Sequence, residues 1–222
     1  YIHFAALPAG IYTEALEKLR NKITYLVSSF EKKNNQIIDY YYGYIICLKK
    51  VKIRNIYQLK NKNFGFVDPA SSSGYKYPVS LFLKQGMNPD TFLKSIFYLG
   101  SHEKVTDALV LENIDAGATS DLNYERAVKK YGKIFRIIAK TPPIPLDAWV
   151  ISNKLPKIFI NKIQNLLINI NEKTKTTANK RILYQKFFTY SGFVKKAPSF
   201  YQFVIQTHQL LKKYTNKKNR IK

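Results

Sequence analysis

The feature that most limits what this chain can fold into is a repeated order of strand pattern, polar turn and helix pattern. It is clearest at Phe64-Gly65-Phe66-Val67-Asp68, an apolar run of strand density that stops at Pro69. From there the chain passes through Ser71-Ser72-Ser73-Gly74 into a helical stretch that runs through Lys84. The order recurs from Phe92–Leu99 through Gly100-Ser101-His102-Glu103 to a helix over Lys104–Leu111, where Ser101 is placed to cap. It recurs again from Ile114-Asp115-Ala116-Gly117-Ala118 to a helix opened by Ser120 or Asp121 and running to Tyr131. Upstream, Ile2–Leu7 reads as a buried strand, broken by Pro8-Ala9-Gly10 before a helix over Tyr12–Arg20. Ile37–Lys49 has strand density, and Ile56–Leu59 resembles a short helical turn. Downstream, Ile134–Ala139 reads as a strand. The three prolines of Thr141-Pro142-Pro143-Ile144-Pro145 lack amide donors and exclude helix, so this segment reads as a crossover between lobes. Leu155–Asn171, Lys180–Phe188 and Ser199–Lys213 read as helical. The alternation predicts an α/β fold with largely parallel sheets.

Composition bounds the function. With 222 residues, 45% of them hydrophobic, the chain can bury a core as one domain or two small lobes. Its apolar runs are far shorter than the ~20 residues of a membrane-spanning helix, and no basic-then-apolar leader opens it. It begins at Tyr1 inside what reads as a strand, so the start is expected to be internal. The single cysteine, Cys47, lies in the apolar run Tyr44-Ile45-Ile46-Cys47-Leu48 and reads as a core thiol. His3, His102 and His208 lack the spacing that puts two imidazoles on one metal, so neither a metal nor a cofactor is expected. The formal charge of +23 suggests an anionic partner. It has a second reading: lysine spread over the chain with Asn, Ile and Tyr is what an AT-rich coding sequence produces without selection for a binding face. The dense basic run Lys212–Arg220 reads as a solvated end.

The polar chemistry gathers where strands give way to helix starts. There a helix presents free amides and about half a positive charge, suited to an anion. Ser71, Ser72 and Ser73 add hydroxyl donors at one such start, and His102 adds an imidazole at the next. An ordinary polar turn with a helix cap accounts for the three serines as well, and a surface cap for the histidine.

The run Phe66-Val67-Asp68-Pro69-Ala70-Ser71-Ser72-Ser73-Gly74-Tyr75 is followed in order by Pro78, Gly100-Ser101-His102-Glu103, Ile114-Asp115-Ala116-Gly117-Ala118 and Lys140-Thr141-Pro142-Pro143-Ile144-Pro145. In order and spacing these resemble the periplasmic phosphate/phosphite/phosphonate-binding protein family, from about Ile2 to Val204, with a family-like ending at Ser191-Gly192-Phe193 and Phe200-Tyr201. The resemblance implies a type II periplasmic-binding-protein fold whose two lobes close on a small oxyanion. It would deliver that ligand to an ABC transporter permease as a monomer on the periplasmic face, held through the permease or a lipid anchor. Residues 1–62 and 146–222 would form lobe I, and 63–145 lobe II with the anion cradle. The family's serine/threonine cradle falls on Ser71, Ser72 and Ser73, its anion-contacting histidine on His102, and its acidic residue after the crossover on Asp147. Tyr12 matches an aromatic that some members present to the ligand; local helix packing explains it equally.

Two departures follow. Leu7 stands where aminophosphonate-binding members carry an aromatic, and only Asp121 approximates their acid after the third strand, so a zwitterionic aminophosphonate is not expected. Family members also carry several strands and helices before the strand at Ile2–Leu7; lobe I is therefore expected to be incomplete, with an unpaired sheet edge. Three alternatives carry less. A Ser72–His102–Asp147 hydrolase triad lacks a GxSxG elbow, a nucleic-acid-binding protein lacks a recognisable RNA- or DNA-binding motif, and a ligand-sensing domain of the same fold would use the same residues.

Overall fold

The computed structural model describes residues 3–183 and 190–219. It divides into two compact units, Tyr1–Tyr40 with Pro145–Ile205 and Tyr41–Ile144 with Gln206–Lys222.

The first unit opens with β1 (Phe4–Leu7) and α1 (Ala9–Leu19), then β2 (Ile23–Lys33) and β3 (Gln36–Ile38). Asn34 and Asn35, both at positive φ, form the two-residue turn that joins β2 to β3 and makes the pair antiparallel. After β4 (Tyr40–Tyr41) the chain enters the second unit. There it forms β5 (Gly43–Leu48), β6 (Asn63–Phe66), α2 (Tyr77–Lys84), α3 (Pro89–Phe92), β7 (Ser95–Tyr98), α4 (His102–Val110), β8 (Ala116–Ser120), α5 (Asp121–Tyr131) and β9 (Phe135–Lys140). Through β10 (Ile144–Pro145) it returns to the first unit and adds β11 (Ala148–Ser152), α6 (Lys157–Asn169) and β12 (Gly192–Val194). Last comes α7 (Gln202–Asn219), whose Leu211 packs into the second unit's core.

The first unit's sheet runs β1-β11-β2-β12, antiparallel throughout, with β3 on β2. One face packs Leu26, Val27, Ile151 and Phe193 against Leu167 of α6, with Trp149, Ile160 and Ile163 alongside. The second unit's sheet has the order β7-β6-β8-β5-β9 and is apolar on both faces. Successive residues of β5 point to opposite faces. Ile45 and Cys47 therefore join Phe64, Phe66, Val79 and Phe82 on one side, while Ile46 and Leu48 join Val105, Leu109, Ala127 and Phe135 on the other. This explains the unbroken apolar run around Cys47, which is fully buried.

The two-unit α/β architecture agrees with the sequence, and three expectations are corrected. Neither sheet is wholly parallel: the first is antiparallel throughout, and in the second β6–β7 and β6–β8 are parallel, whereas β5 pairs antiparallel with β8 and β9. The cause is topological, since the chain enters the sheet at Gly43 beside Ser120 and leaves it after Lys140 at the same edge. The lobe boundary falls after Tyr40 and not at 62/63, because β5 is an inner strand of the second sheet. Residues 206–222 also belong with the second unit and not with lobe I, through Leu211 and Tyr214. Among individual elements, Phe92 lies in the short α3, capped by Asn88, so the strand starts only at Ser95. Of the expected helix over Lys180–Phe188, the part from Tyr184 lies outside the described residues, and Lys175 and Arg181 instead form an isolated β-bridge. Ile2 also lies outside them.

Phe82 is fully buried, its ring edge-on to Phe64 at 5.7 Å and tilted against Phe92 at 6.1 Å. Phe82→Ala should lower unfolding free energy by about 3–5 kcal/mol. Urea titration followed by circular dichroism measures this, and a loss under about 1 kcal/mol would show that the face is not closely packed.

Candidate functional site: an anion cradle at the edge of a parallel strand trio

In the second unit β7, β6 and β8 run parallel, so their carboxyl ends and the helix starts that follow share one edge of the sheet. Such edges are where open α/β sheets bind ligands. At the end of β6, Asp68 Oδ1 accepts hydrogen bonds from the amides of Ala70 (2.8 Å) and Ser71 (3.0 Å), which turns the chain. Ser71 Oγ then accepts from the Gly74 amide at 3.0 Å and caps a wide helical turn, Ser72–Lys76, that continues directly into α2. Gly74 is required by close approach: a Cβ there would lie 2.3 Å from Val67 Cγ2 and 2.6 Å from Val67 Cβ. The -Ser-Ser-Ser-Gly- string thus divides its labour. Ser71 is a cap, while Ser72 and Ser73 are turned inward at 7% and 3% exposure. Ser72 Oγ is buried and has no hydrogen-bond partner among the described residues. Leaving such a hydroxyl unsatisfied costs about 1–3 kcal/mol.

His102 begins α4, capped by Ser101 Oγ, which accepts from the Lys104 amide at 3.2 Å. Its Nδ1 accepts from the Ser120 amide at 3.2 Å and also lies 3.2 Å from Thr119 Oγ1. An amide can only donate, so Nδ1 carries a lone pair and the neutral ring bears its proton on Nε2. Burial pushes the imidazole pKa below its ordinary value, with Asp68 opposing. The ring is thereby held as a neutral Nε2–H donor. Gly43 ties these parts together. It pairs with Ser120, its amide donates to Thr141 Oγ1 at 2.9 Å, and a Cβ on it would lie 3.0 Å from the Ser73 carbonyl oxygen. The structure therefore gathers Ser71, Ser72, Ser73 and His102 at one edge, with Thr119, Ser120 and Thr141 around them. The sequence reading did not assign those three to the site; their signal is a small hydroxyl residue at each strand end.

Asp147 and Tyr12 belong to the first unit. Asp147 follows β10, its carbonyl accepts from the Ser29 amide at 3.0 Å, and its Oδ2 accepts from the Tyr190 hydroxyl. Burial raises its pKa above the usual carboxylate range, and the Tyr190 bond opposes this. Tyr12 is buried with its ring edge-on to Tyr201 at 4.8 Å, and burial followed by Tyr25 pushes its hydroxyl up to about 12. Ser28 Oγ joins the same cluster, bonded to the hydroxyls of Tyr25 (2.8 Å) and Tyr201 (2.7 Å). Its neighbour Ser29 points to the opposite face and accepts from Trp149 Nε1 at 2.8 Å. Sequence reasoning missed Tyr25, Ser28, Ser29 and Tyr190. A triad is not assembled on His102, because Nδ1, the nitrogen a triad carboxylate would hold, is taken by the Ser120 amide.

Solved structures with this fold include XAC2383 from Xanthomonas citri bound to ATP, at 17% identity and TM-score 0.76, covering 97% of this chain and 79% of that one. A binding protein component of an ABC phosphonate transporter (PA3383) from Pseudomonas aeruginosa matches at 19% identity and TM-score 0.66, covering 99% and 80%. PhnD1 from Prochlorococcus marinus (MIT 9301) in complex with methylphosphonate matches at 17% and 0.62, covering 93% and 84%. At these identities the likeness establishes the fold, an α/β periplasmic-binding-protein architecture. The family model for the periplasmic substrate-binding protein of phosphonate ABC transporters matches residues 2–201. The chain belongs to that family of transporter substrate-binding proteins, which is not a family of enzymes.

A depressed histidine pKa has a definite sign. Below about pH 6.5 the unfolded chain takes up the proton that folded His102 resists, so its contribution to stability is present above that pH and is lost as pH falls. Nitrogen-detected NMR should find His102 titrating below the ordinary value, with Nε2 protonated when neutral. A titration at or above the ordinary value, or an Nδ1–H tautomer, would overturn the assignment.

Proposed function

We propose that this protein binds a tetrahedral phosphorus oxyanion, a phosphonate, phosphite or phosphate, and hands it unchanged to a membrane permease from the periplasmic side. It would act as a monomer, held at the membrane through the permease or a lipid anchor. The observation that carries the reading is the buried Ser72 hydroxyl, without a partner among the described residues, at the start of a helix, beside Ser73 and at the same edge as a histidine held as a neutral donor. A tetrahedral oxyanion has the acceptor oxygens such a set requires, and helix-start amides add more donors. That XAC2383 was solved bound to ATP and PhnD1 in complex with methylphosphonate, both anions, supports the same reading.

In this reading Ser71, Ser72, Ser73 and His102 donate to the oxyanion, and Asp147 and Tyr12 are the first unit's ligand residues. A carboxyl group whose pKa burial has raised is suited to accept from a protonated P–OH or an ammonium, a charge-assisted contact that selects among ligands.

Ser72→Ala removes a hydrogen bond to a charged group, so affinity for methylphosphonate, phosphite and phosphate should each fall about tenfold or more. Asp147→Asn should instead reorder preference among the three and change the pH dependence of binding. Calorimetric titration of each anion against parent and variants measures both effects. If both variants bind all three like the parent, the cradle is misassigned.

A further inference from the structure

At the cradle's edge stands a cation that, among the described residues, has no carboxylate within ion-pairing distance. Lys140 is the last residue of β9, and its ammonium sits 3.3 Å from the centroid of the Tyr42 ring. Both partners adjoin residues already placed at the cradle. Tyr42 precedes Gly43, and Lys140 precedes Thr141, whose hydroxyl accepts from the Gly43 amide. Tyr42 is itself anchored, its amide donating to Asp121 Oδ2 at 3.0 Å, while Asp121 Oδ1 accepts from the Leu122 amide at 2.8 Å. Lys140 makes no ion pair among the described residues. Lysine side chains on a surface ordinarily sample many rotamers, and stacking on an aromatic face confines this one.

A fixed, unpaired positive charge at that edge acts on the ligand without touching it, because Coulomb attraction needs no contact. The cradle proper is made of neutral donors and distinguishes the oxyanion head; Lys140 adds a signed preference for what the head carries. We infer that Lys140, posed by Tyr42, is a specificity-determining residue that favours oxyanions bearing a second negative group over those bearing an ammonium. The inference rests on the proposed function and names the ligand class for the same cradle: carboxylated phosphonates and related dianions ahead of zwitterionic aminophosphonates.

The test uses two phosphonates of similar length and opposite tail charge, phosphonoacetate and 2-aminoethylphosphonate, with methylphosphonate as the tail-less reference, all by calorimetric titration. The parent protein should prefer phosphonoacetate. Lys140→Gln should shrink the ratio of the two affinities about fivefold, an effect of the size expected for one exposed charge. Lys140→Arg should preserve the ratio, and Tyr42→Leu should reduce it by releasing the ammonium. The parent's preference should also weaken as sodium chloride is raised, which a purely structural role for Lys140 would not produce. Parent protein that binds methylphosphonate but shows no preference, or a ratio unmoved by Lys140→Gln, overturns the role of Lys140 alone. Parent protein that binds none of the three overturns the proposed function and this inference together.

Discussion

Everything at the cradle depends on one strand sharing two parallel neighbours. Because β6 pairs in parallel with both β7 and β8, three successive strand ends deliver three helix starts to the same edge. At a helix start the first four amides have no acceptor within the helix. Those amides are then supplemented by Ser72, Ser73 and His102. The antiparallel β5 completes the edge by bringing Gly43, with no side chain, against the Ser73 carbonyl. A larger residue there would drive the first turn of the helix away from the strand ends.

Much of this was legible because caps and turns are local chemistry. Ser101 caps α4 as expected, and of the two openers the sequence offered for α5, Ser120 and Asp121, it is Ser120 that caps; each serine lies directly before its helix and needs only the amide three residues on. The -Ser-Ser-Ser-Gly- string was legible as a helix start for the same reason. Which serine caps and which is left without a partner was not, because that is decided by how tightly Val67 packs against Gly74.

The illegible parts depend on partners distant in sequence. The 11-residue β2 escaped notice because Ser28 and Ser29 interrupt its apolar run. In the fold both serines are fully buried and satisfied, one by Tyr201, 173 positions along the chain, the other by Trp149, 120 positions along. The lobe boundary failed similarly. Nothing local in Tyr44-Ile45-Ile46-Cys47-Leu48 says which sheet it joins; pairing with β8 and β9 decides it. Parallel against antiparallel pairing is equally non-local, since it follows from the edge at which the chain enters and leaves the sheet.

The charge of the whole chain and the chemistry of the cradle act at different ranges. A net +23 attracts any anion and distinguishes none. The cradle residues are neutral: two buried hydroxyls, helix-start amides and an imidazole whose pKa burial has lowered. Burying a lysine or arginine there would incur a large desolvation penalty. Neutral donors are directional, so they reward a tetrahedral set of oxygens and leave a planar carboxylate partly unmatched. On the proposed reading Lys140, outside this neutral set, would bias the choice of ligand by sign while the hydroxyls and amides would decide by shape.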